Sequence, residues 1–413
     1  MNKIIRVLAI GDTADNVFTL KKFTKKAIIH LVNFPRKQNA LLTYSEEGVE
    51  FFDSLLISKQ VKKIKQIRDN YDLCLAMSWA GARVAYLAGL NYIMYFVGGD
   101  IATPPFVKNP RDPFVNTIAY NLNFIERVFY KRVFDASIVC VGGQIEFNYL
   151  RKYRNDAIRM DKVAVDTTLF NEQIKPANLP KEKFTFLSAQ RFGLAKGFDI
   201  IWKALKLCKS DFRILQIKWF IENSQEEEEF NKRLLKETPT QIEFISLVKR
   251  SELGSYFTYA DEIFGQMRVG TQGAIERDAA FCKKPVICYT DPQKPMIIDG
   301  KEIIPPFLPK TQEPEDLAQL IDKIVESKEF RNKLVEEQYE YIKKLSEPNQ
   351  VAREWDNLFE KLLQRYKTIR RKSKFLMFEN LIANTLERLI YLRKMRARNI
   401  RSWGKEEYEK LTK

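Results

Sequence analysis

Short apolar runs alternate with longer amphipathic segments along most of this 413-residue sequence. The runs have the length of strands, and the amphipathic segments have the length of helices. This alternation predicts parallel sheets with helices on both faces, because successive parallel strands must be joined by crossover connections. The chain is too long for one ordinary hydrophobic core, so we expect two doubly wound α/β domains.

The first half contains the more regular alternation. Its run at 4–10 lacks the long apolar core of a signal peptide and is interpreted as the first strand. No segment is long and apolar enough to predict a transmembrane helix. Strands are predicted over residues 4–10, 27–32, 73–77, 92–97 and 136–141, and helices over 47–70, 80–90, 113–134 and 144–152.

Two glycine-containing turns follow predicted strands in this half, Gly11-Asp12 and Gly98-Gly99-Asp100. Ligands bind at the carboxyl ends of the strands in parallel sheets, so both turns are candidate site segments. The alternative, that each is only a turn, stays open at this point.

The stretch 261–289 organises the second half. Its sequence, DEIFGQMRVGTQGAIERDAAFCKKPVICY, predicts a strand at 263–266, a loop, a helix over 273–281 and another strand from 285. A helix that begins after a strand and a glycine-flanked loop presents unpaired backbone N–H groups. These groups and the helix dipole favour an anionic ligand.

Charge and residue usage narrow the possible chemistry. The formal net charge is +16, which points to an anionic partner. Residues 365–401 hold twelve basic and two acidic residues, so this segment alone contributes +10. Five scattered cysteines and the single His30, inside an apolar strand, argue against disulfides, structural zinc and Ser/His or Cys/His catalysis.

Four pieces of the second half follow one another in the order and spacing of a known family. The second half resembles the nucleotide-sugar-binding domain of GT-B glycosyltransferases, and is most similar to the retaining family 4 type. The pieces are VDTTLF at 165–170, SAQRFGLAKGFD at 188–199, GAIERDAAFCKKPVI at 273–287, and PPF at 305–307 followed by PEDLAQLIDKIVES.

The resemblance implies roles for the donor-site residues. Arg191 and Lys196 would bind the donor diphosphate, and guanidinium and ammonium groups suit that task chemically. Asp278 stands where the family has a glutamate that binds the ribose hydroxyls. Gly270 and Gly273 would let the backbone approach phosphate and sugar closely. Glu276 is expected on another face of the helix.

The sequence departs from the family at residue 270. The family has a first glutamate there, with seven residues between it and the second, and this chain has Gly270. Gln266 and Gln272 would then serve the sugar through neutral hydrogen bonds. In the first domain, Gly11 and Asp12 are expected on the donor side, and Asp100 on the acceptor or sugar side.

The resemblance further implies a GT-B fold, with two Rossmann-like domains facing across a cleft and a C-terminal helical extension. The polar, proline-marked stretch 171–183 is the candidate boundary. The expected parts are an acceptor-side domain at 1–172, a nucleotide-sugar domain at 173–345, helices crossing back at 346–364 and a basic amphipathic tail at 365–413.

The implied activity is transfer of a sugar from a nucleoside-diphosphate sugar to a glycan or lipid-linked acceptor, with retention. No cofactor or metal is expected, since no D-x-D triplet is present. The alternative is an inactive relative that serves as a sugar-nucleotide or membrane-binding scaffold. Nucleic acid is not an expected partner, and the expected location is cytoplasmic, on the inner face of the cell membrane.

The basic tail supports two interpretations. An apolar stripe of Phe378, Ile382, Leu386 and Leu389, with Glu379 opposite and cationic clusters on both sides, suits an anionic membrane surface. The same stripe could instead pack on the protein or on a second subunit.

Overall fold

The chain folds into two compact units in the computed structural model, which describes residues 4–36, 45, 47–112, 118–220, 225–366, 368–371, 376–386, 396, 400 and 403–412. The first unit contains the N-terminal segment that begins with strand β1 and the described residues of Glu46–Lys162 and Asn349–Lys413. The second contains the described residues of Val163–Pro348.

Seven parallel strands form the sheet of the first unit, in the spatial order β3-β2-β1-β4-β5-β6-β7. The central strands are apolar along their whole length because helices cover both faces of the sheet. The strands are β1 (Ile5–Ile10), β2 (Ala27–Asn33), β3 (Glu50–Phe51), β4 (Leu73–Met77), β5 (Tyr92–Phe96), β6 (Val139–Gly142) and β7 (Ile158–Arg159).

Five parallel strands form the sheet of the second unit, in the order β10-β9-β8-β11-β12. A separate antiparallel hairpin, β13-β14, turns through Asp299 and Gly300, which both have positive φ as a two-residue hairpin loop requires. The strands are β8 (Thr185–Ser188), β9 (Arg213–Ile217), β10 (Ile242–Ile245), β11 (Glu262–Phe264), β12 (Val286–Ile287), β13 (Met296–Ile298) and β14 (Lys301–Ile303).

Helices alternate with the strands in both units. Those of the first unit are α1 (Asn16–Phe23), α2 (Ile57–Ile67), α3 (Ser78–Leu87), α4 (Phe124–Asp135) and α5 (Gln144–Leu150). Those of the second are α6 (Phe198–Leu205), α7 (Gln225–Lys236), α8 (Arg250–Tyr259), α9 (Ala274–Phe281), α10 (Pro314–Glu326) and α11 (Lys328–Ser346). Three more follow: α12 (Pro348–Arg365), α13 (Leu376–Leu386) and α14 (Lys405–Thr412).

Helix α12 is anchored on the N-terminal strands. The Asp356 carboxylate accepts backbone N–H bonds from Lys25, Lys26 and Ala27 at 2.9–3.1 Å. The Trp355 ring packs edge-on against Tyr95 of β5, with ring centroids 4.8 Å apart. These contacts explain why a segment that follows the second unit in sequence belongs to the first unit.

The predicted pair of doubly wound α/β domains is confirmed, and two predicted helices are corrected. The segment 47–70 was predicted as one helix. In the structure it begins with strand β3, and its helix, α2, begins only at Ile57. The helix predicted over 113–134 begins at Phe124, because Asn123 and Glu126 form a capping box that starts it there; residues 113–117 lie outside the described residues.

Glu379, predicted opposite the apolar stripe, faces the protein in the structure. This carboxylate is buried, and the Tyr86 hydroxyl donates a hydrogen bond to it, whereas Phe378 and Leu381 are exposed. Leu389 and the cationic clusters of 372–375 and 387–395 lie outside the described residues. None of the described helices has the length and apolar character needed to cross a bilayer.

Glu262 at the start of β11 yields a stability prediction. It is fully buried, neither carboxylate oxygen has a hydrogen-bond partner among the described residues, and burial raises its pKa well above the ordinary value. A carboxyl group with a raised pKa stabilises the fold at low pH and loses that contribution as pH rises toward the raised pKa. We expect Glu262→Gln to raise the free energy of unfolding at about pH 8 by about 1–2 kcal/mol and to change it less at about pH 5.

Urea unfolding at the two pH values measures this difference. The matched control is Glu302→Gln on the exposed hairpin strand β14, which should change stability little at either pH. An equal gain at both pH values from Glu262→Gln would show that the charge of Glu262 is not the cause.

Candidate functional site

Two loops meet at the carboxyl edge of the sheet in the second unit. One follows β8 and leads through residues 189–197 into α6, and the other follows β11 and leads through residues 265–273 into α9. The Met267 N–H donates to the Lys196 carbonyl at 2.9 Å. The Arg268 guanidinium binds the Leu194 carbonyl and the Asp199 carboxylate, so the loops form one continuous surface.

The KGFD sequence at 196–199 has a structural reason within this surface. Gly197 has φ +78, and a Cβ there would lie 3.0 Å from the Met267 carbonyl carbon, so a side chain fits neither the backbone nor the space. Asp199 holds Arg268 of the opposite loop. The motif therefore brings the loop after β8 against the loop after β11.

Arg191 and Lys196 lie together on the loop after β8. Burial lowers the pKa of Lys196 and the Arg191 guanidinium lowers it further, while the Glu276 carboxylate raises it. No hydrogen-bond or ion-pair partner of the Lys196 Nζ is found among the described residues. Two close cations, one of them without a direct partner, form a site that favours an anion.

The Glu276 carboxylate braces the loops, a role that the sequence analysis missed. Its Oε1 accepts from the Gln266 N–H at 3.0 Å and from the Gln190 Nε2 at 2.7 Å, and its Oε2 accepts from the Gly273 N–H at 2.8 Å. Glu276 lies on another helix face than Asp278, as expected, and its role was missed: a glutamate at the third helical position turns back to the N-cap. That spacing from Gly273 was the available signal.

Gln266 and Gln272 take different positions. The Gln266 side chain is buried, its Nε2 donates to the Thr271 carbonyl at 2.7 Å, and its Oε1 accepts from the Arg268 and Val269 N–H groups. Gln266 therefore holds its own loop in shape. Gln272 is only partly buried, and its Nε2 makes a long 3.4 Å contact with the Tyr341 hydroxyl.

Gly270 is required by the backbone of this loop. Its φ is +83, and a Cβ would approach the Asp291 Cβ at 3.0 Å and the Tyr289 ring at 3.5 Å. A left-handed backbone with so little space disfavours every side chain. The loop's conformation therefore requires glycine at position 270, where the resembled family has its first glutamate. Gly273 is the N-cap of α9, with an extended backbone.

Asp278 forms a buried ion pair with Arg250. The Arg250 Nη1 lies 3.0 Å from the Asp278 Oδ2, and each side chain is only 4% exposed. The Arg250 guanidinium also lies 4.8 Å from the centroid of the Phe170 ring, at the end of the VDTTLF motif. The carboxylate predicted to bind ribose thus has a partner within the protein, and its contact with ribose stays a prediction.

The first unit places its candidate residues after two strands of its sheet, β1 and β5. Asp12 follows β1, where its carboxylate accepts the N–H groups of Val17 and Phe18 at 2.9 and 3.0 Å. Burial, reinforced by the charge of Asp15, raises the pKa of Asp12 to about 6. Gly11, with φ +82, forms the turn between β1 and Asp12.

Asp100 lies beyond the end of β5, and β4 separates that strand from β1. The Ser78 hydroxyl donates to the Asp100 carboxylate, the Trp79 Nε1 donates to the Asp100 carbonyl at 3.0 Å, and burial raises the pKa of Asp100. Ser78 has φ +55, which is unusual for a non-glycine residue and typical of functional sites. The sequence analysis missed Ser78, because backbone strain leaves no pattern in a sequence.

The described residues form no cluster of metal ligands. Within the described part of the chain, no three His, Cys, Asp or Glu side chains converge to hold a metal ion. His30, the single histidine, bonds Tyr71 and Glu50 beside β2.

The second unit matches a known protein family in sequence. Residues 170–341 match the family model described as glycosyl transferases group 1. The second unit is a group 1 glycosyltransferase domain. This match and the two-unit α/β fold confirm the predicted resemblance to GT-B glycosyltransferases and the predicted glycosyltransferase class. No curated protein matches this glycosyltransferase in sequence.

Solved structures share the fold of this glycosyltransferase at low sequence identity. HepE from Anabaena, in complex with UDP and glucose, has a TM-score of 0.62 and 14% identity over 86% of this chain and 100% of its own. Sucrose-phosphate synthase from Thermosynechococcus elongatus has a TM-score of 0.62 and 13% identity over 87% and 100%. A glycosyltransferase from Rickettsia africae has a TM-score of 0.59 and 15% identity over 88% of this chain and 100% of its own.

The Arg250–Asp278 pair gives a prediction on stability. Breaking a buried ion pair leaves the other charge uncompensated, so we expect Asp278→Asn to lower the free energy of unfolding by about 3–5 kcal/mol. The double substitution Arg250→Met with Asp278→Leu should cost less than Asp278→Asn alone, because no charge remains buried.

Urea unfolding of both variants provides the measurement. The matched control is Glu228→Gln, which removes an exposed ion pair with Lys232 on α7 and should change stability little. A double variant that is no more stable than Asp278→Asn would contradict the coupling between Arg250 and Asp278.

Proposed function

We propose that this glycosyltransferase transfers a sugar from a UDP-sugar to an acceptor, and that Arg191 and Lys196 bind the diphosphate of the donor. The observation that carries the proposal is the pair of adjacent cations at the end of β8, with the Lys196 ammonium held at a lowered pKa by burial. An anionic ligand would supply the charge partner that this ammonium lacks. The HepE structures contain UDP, UDP-glucose, or UDP and glucose, which supports a uridine nucleotide as the first donor to test.

The donor's sugar would lie along the loop after β11. Gln272 is partly buried: its Oε1 accepts from the Thr271 hydroxyl at 3.1 Å, while its Nε2 makes only a long 3.4 Å contact, so the Nε2 is available for a sugar hydroxyl. Gly270 and Gly273 keep the loop backbone free of side chains at this edge. Gln266 and Glu276 would contribute indirectly, because their hydrogen bonds hold the loop in the conformation that binds the donor.

The first unit would supply the remaining contacts. Gly11 makes a sharp turn after β1, and Asp12 fixes that turn by capping α1, so both shape the backbone that we assign to the donor side. Asp100 is assigned to the acceptor or sugar side. Its carboxylate is held by Ser78 and has a raised pKa, which suits an acceptor hydroxyl as hydrogen-bond partner.

Catalysis would be electrostatic. As the bond between the sugar and the diphosphate breaks, negative charge develops on the leaving phosphate, and Arg191, Lys196 and the dipole of α9 would stabilise it. These fixed cations would take the place that a metal ion has in other sugar transferases. Retention of the anomeric configuration rests on the likeness to the group 1 family, and no protein nucleophile is assigned.

Donor binding is tested by thermal shift with UDP, GDP, ADP and their sugars. A ligand that binds only the folded state raises the melting temperature. We expect UDP or a UDP-sugar to give the largest shift, and Arg191→Ala and Lys196→Ala each to weaken binding by about tenfold or more, because each removes a charge-assisted contact.

The matched control for donor binding is Lys249→Ala, which removes an exposed lysine elsewhere in the second unit. If Lys249→Ala weakened binding as strongly as Lys196→Ala, the loss would reflect general charge and not the proposed site. A wild-type protein that no nucleoside diphosphate stabilises would overturn the proposal.

The chemical outcome is tested with the donor identified by thermal shift. We expect NMR of the first-formed glycoside to show the same anomeric configuration as the donor, and EDTA to leave the rate unchanged, because fixed cations stabilise the leaving group. An inverted product, or a rate that EDTA abolishes and Mg²⁺ restores, would refute these two parts of the proposal separately.

We further propose that the acceptor is lipid-linked. The support is the net charge of +16, which is concentrated toward the C-terminal end of the sequence. A positively charged enzyme is attracted to an anionic membrane, where a lipid-linked acceptor would be found.

A further inference from the structure

Helix α4 presents three large apolar side chains to solvent. Phe124, Ile125 and Val128 are 70%, 55% and 38% exposed, although the opposite face of the same helix packs into the core through Val133 and Phe134. The three lie one and four positions apart, so they form one side of the helix. Single exposed apolar residues are ordinary, but a contiguous group on one helix is typical of an interaction site.

A second helix enlarges this surface. Phe378 and Leu381 of α13 are 58% and 63% exposed. Helices α4 and α13 both pack on α3: the Tyr86 ring lies 6.0 Å from the Phe129 ring of α4, and the Tyr86 hydroxyl donates to Glu379 of α13.

Arg132 of α4 connects the two helices directly, since its Nη1 lies 4.0 Å from the Glu379 Oε1. Exposed Ile118, shortly before α4, adds a further apolar side chain. We call the exposed apolar residues of these segments the α4–α13 face; they are Ile118, Phe124, Ile125, Val128, Phe378 and Leu381.

Basic residues precede α4 in the chain and lie in its last turns. Lys108 and Arg111 are exposed, and Arg111 forms a backbone bridge with Ile118. At the C-terminal end, the Arg132 side chain is 60% exposed and Lys131 pairs with Asp135.

The carboxylates near the face are engaged within the protein. Glu126 caps its own helix, and Glu379 interacts with Tyr86, Arg371 and Arg132. The outward charge around the apolar face is therefore positive, which is complementary to an anionic surface.

We infer that the α4–α13 face binds the surface of an anionic lipid bilayer. The aromatic and aliphatic side chains would enter the boundary between headgroups and acyl chains, while Arg111 and Arg132 would contact lipid phosphates. The inference deepens the proposed function, because it rests on the lipid-linked acceptor and names the surface that would bring the enzyme to it. It locates membrane binding on α4 together with α13, whereas the sequence analysis considered it only for the tail stripe, as one of two interpretations.

The experiment is flotation of the full-length protein with lipid vesicles. One vesicle contains phosphatidylcholine alone, and the other contains phosphatidylcholine with phosphatidylglycerol. The test variant combines Phe124→Ser, Ile125→Ser and Val128→Ser. The matched control combines Leu207→Ser, Leu235→Ser and Ile297→Ser, which replaces three exposed apolar residues of the second unit.

We expect the wild-type protein to float with the anionic vesicles, to bind them less at high salt, and to bind neutral vesicles weakly. The α4 triple variant should bind anionic vesicles at least about tenfold more weakly, and the control triple should bind like the wild type. A second variant, Lys108→Glu with Arg132→Glu, keeps the apolar residues and should lose binding at low salt.

Three results would overturn the inference. The first is a wild-type protein that does not bind anionic vesicles. The second is an equal loss of binding in the two triple variants. The third is a wild-type dimer, seen by sedimentation, that the α4 triple variant abolishes without any change in vesicle binding. The thermal shift with the donor is measured on each variant in parallel. A retained shift shows an intact donor site, so failure of this surface is distinguished from failure of the proposed transfer.

Discussion

The Glu276 carboxylate holds together the loops on which the donor side of this glycosyltransferase depends. Its two oxygens accept hydrogen bonds from Gln190 after β8, from Gln266 after β11 and from Gly273 at the start of α9. The group is buried, and Gly265 beside it has no room for a Cβ, which would lie 2.6 Å from the Glu276 Oε1. One negative charge therefore satisfies three donors and lies near the Lys196 cation. Loss of that charge would release both loops and remove the electrostatic effect of Glu276 on the Lys196 ammonium.

The sequence predicted the architecture well, because the architecture depends on patterns that repeat. Apolar runs such as LCLAM at 73–77 and YIMYF at 92–96 can only be buried on both faces, and they became the central strands β4 and β5. The predicted helix boundaries were less accurate where a local cap, and not the apolar pattern, sets the first residue of the helix. The start of α4 depends on the capping box of Asn123 and Glu126, and the apolar periodicity extends beyond that box. Strand β3 has only two residues, too few for any alternation to appear.

The candidate site was predictable in its residue types and less so in its contacts. Arg191 and Lys196 lie together, as their spacing after a strand suggested. Asp278 and Gln266 are buried and bonded within the protein, which no sequence motif could show, because their partners Arg250 and Val269 belong to no common pattern. The role of Glu276 was missed, although its distance from Gly273 matched a capping box. Ser78 could not be found at all, since its contact with Asp100 depends on a left-handed backbone.

The left-handed backbone at Gly270 also limits how this enzyme can change. A single substitution to the glutamate of its relatives would place a side chain in a conformation that disfavours it, against the Tyr289 ring and beside the like-charged Asp291. A change from Gly270 to glutamate would therefore distort the loop unless residues 289–291 changed with it. Directed evolution toward a new donor sugar would accordingly vary position 270 only together with those neighbours, and would find single-step solutions more readily at Gln272.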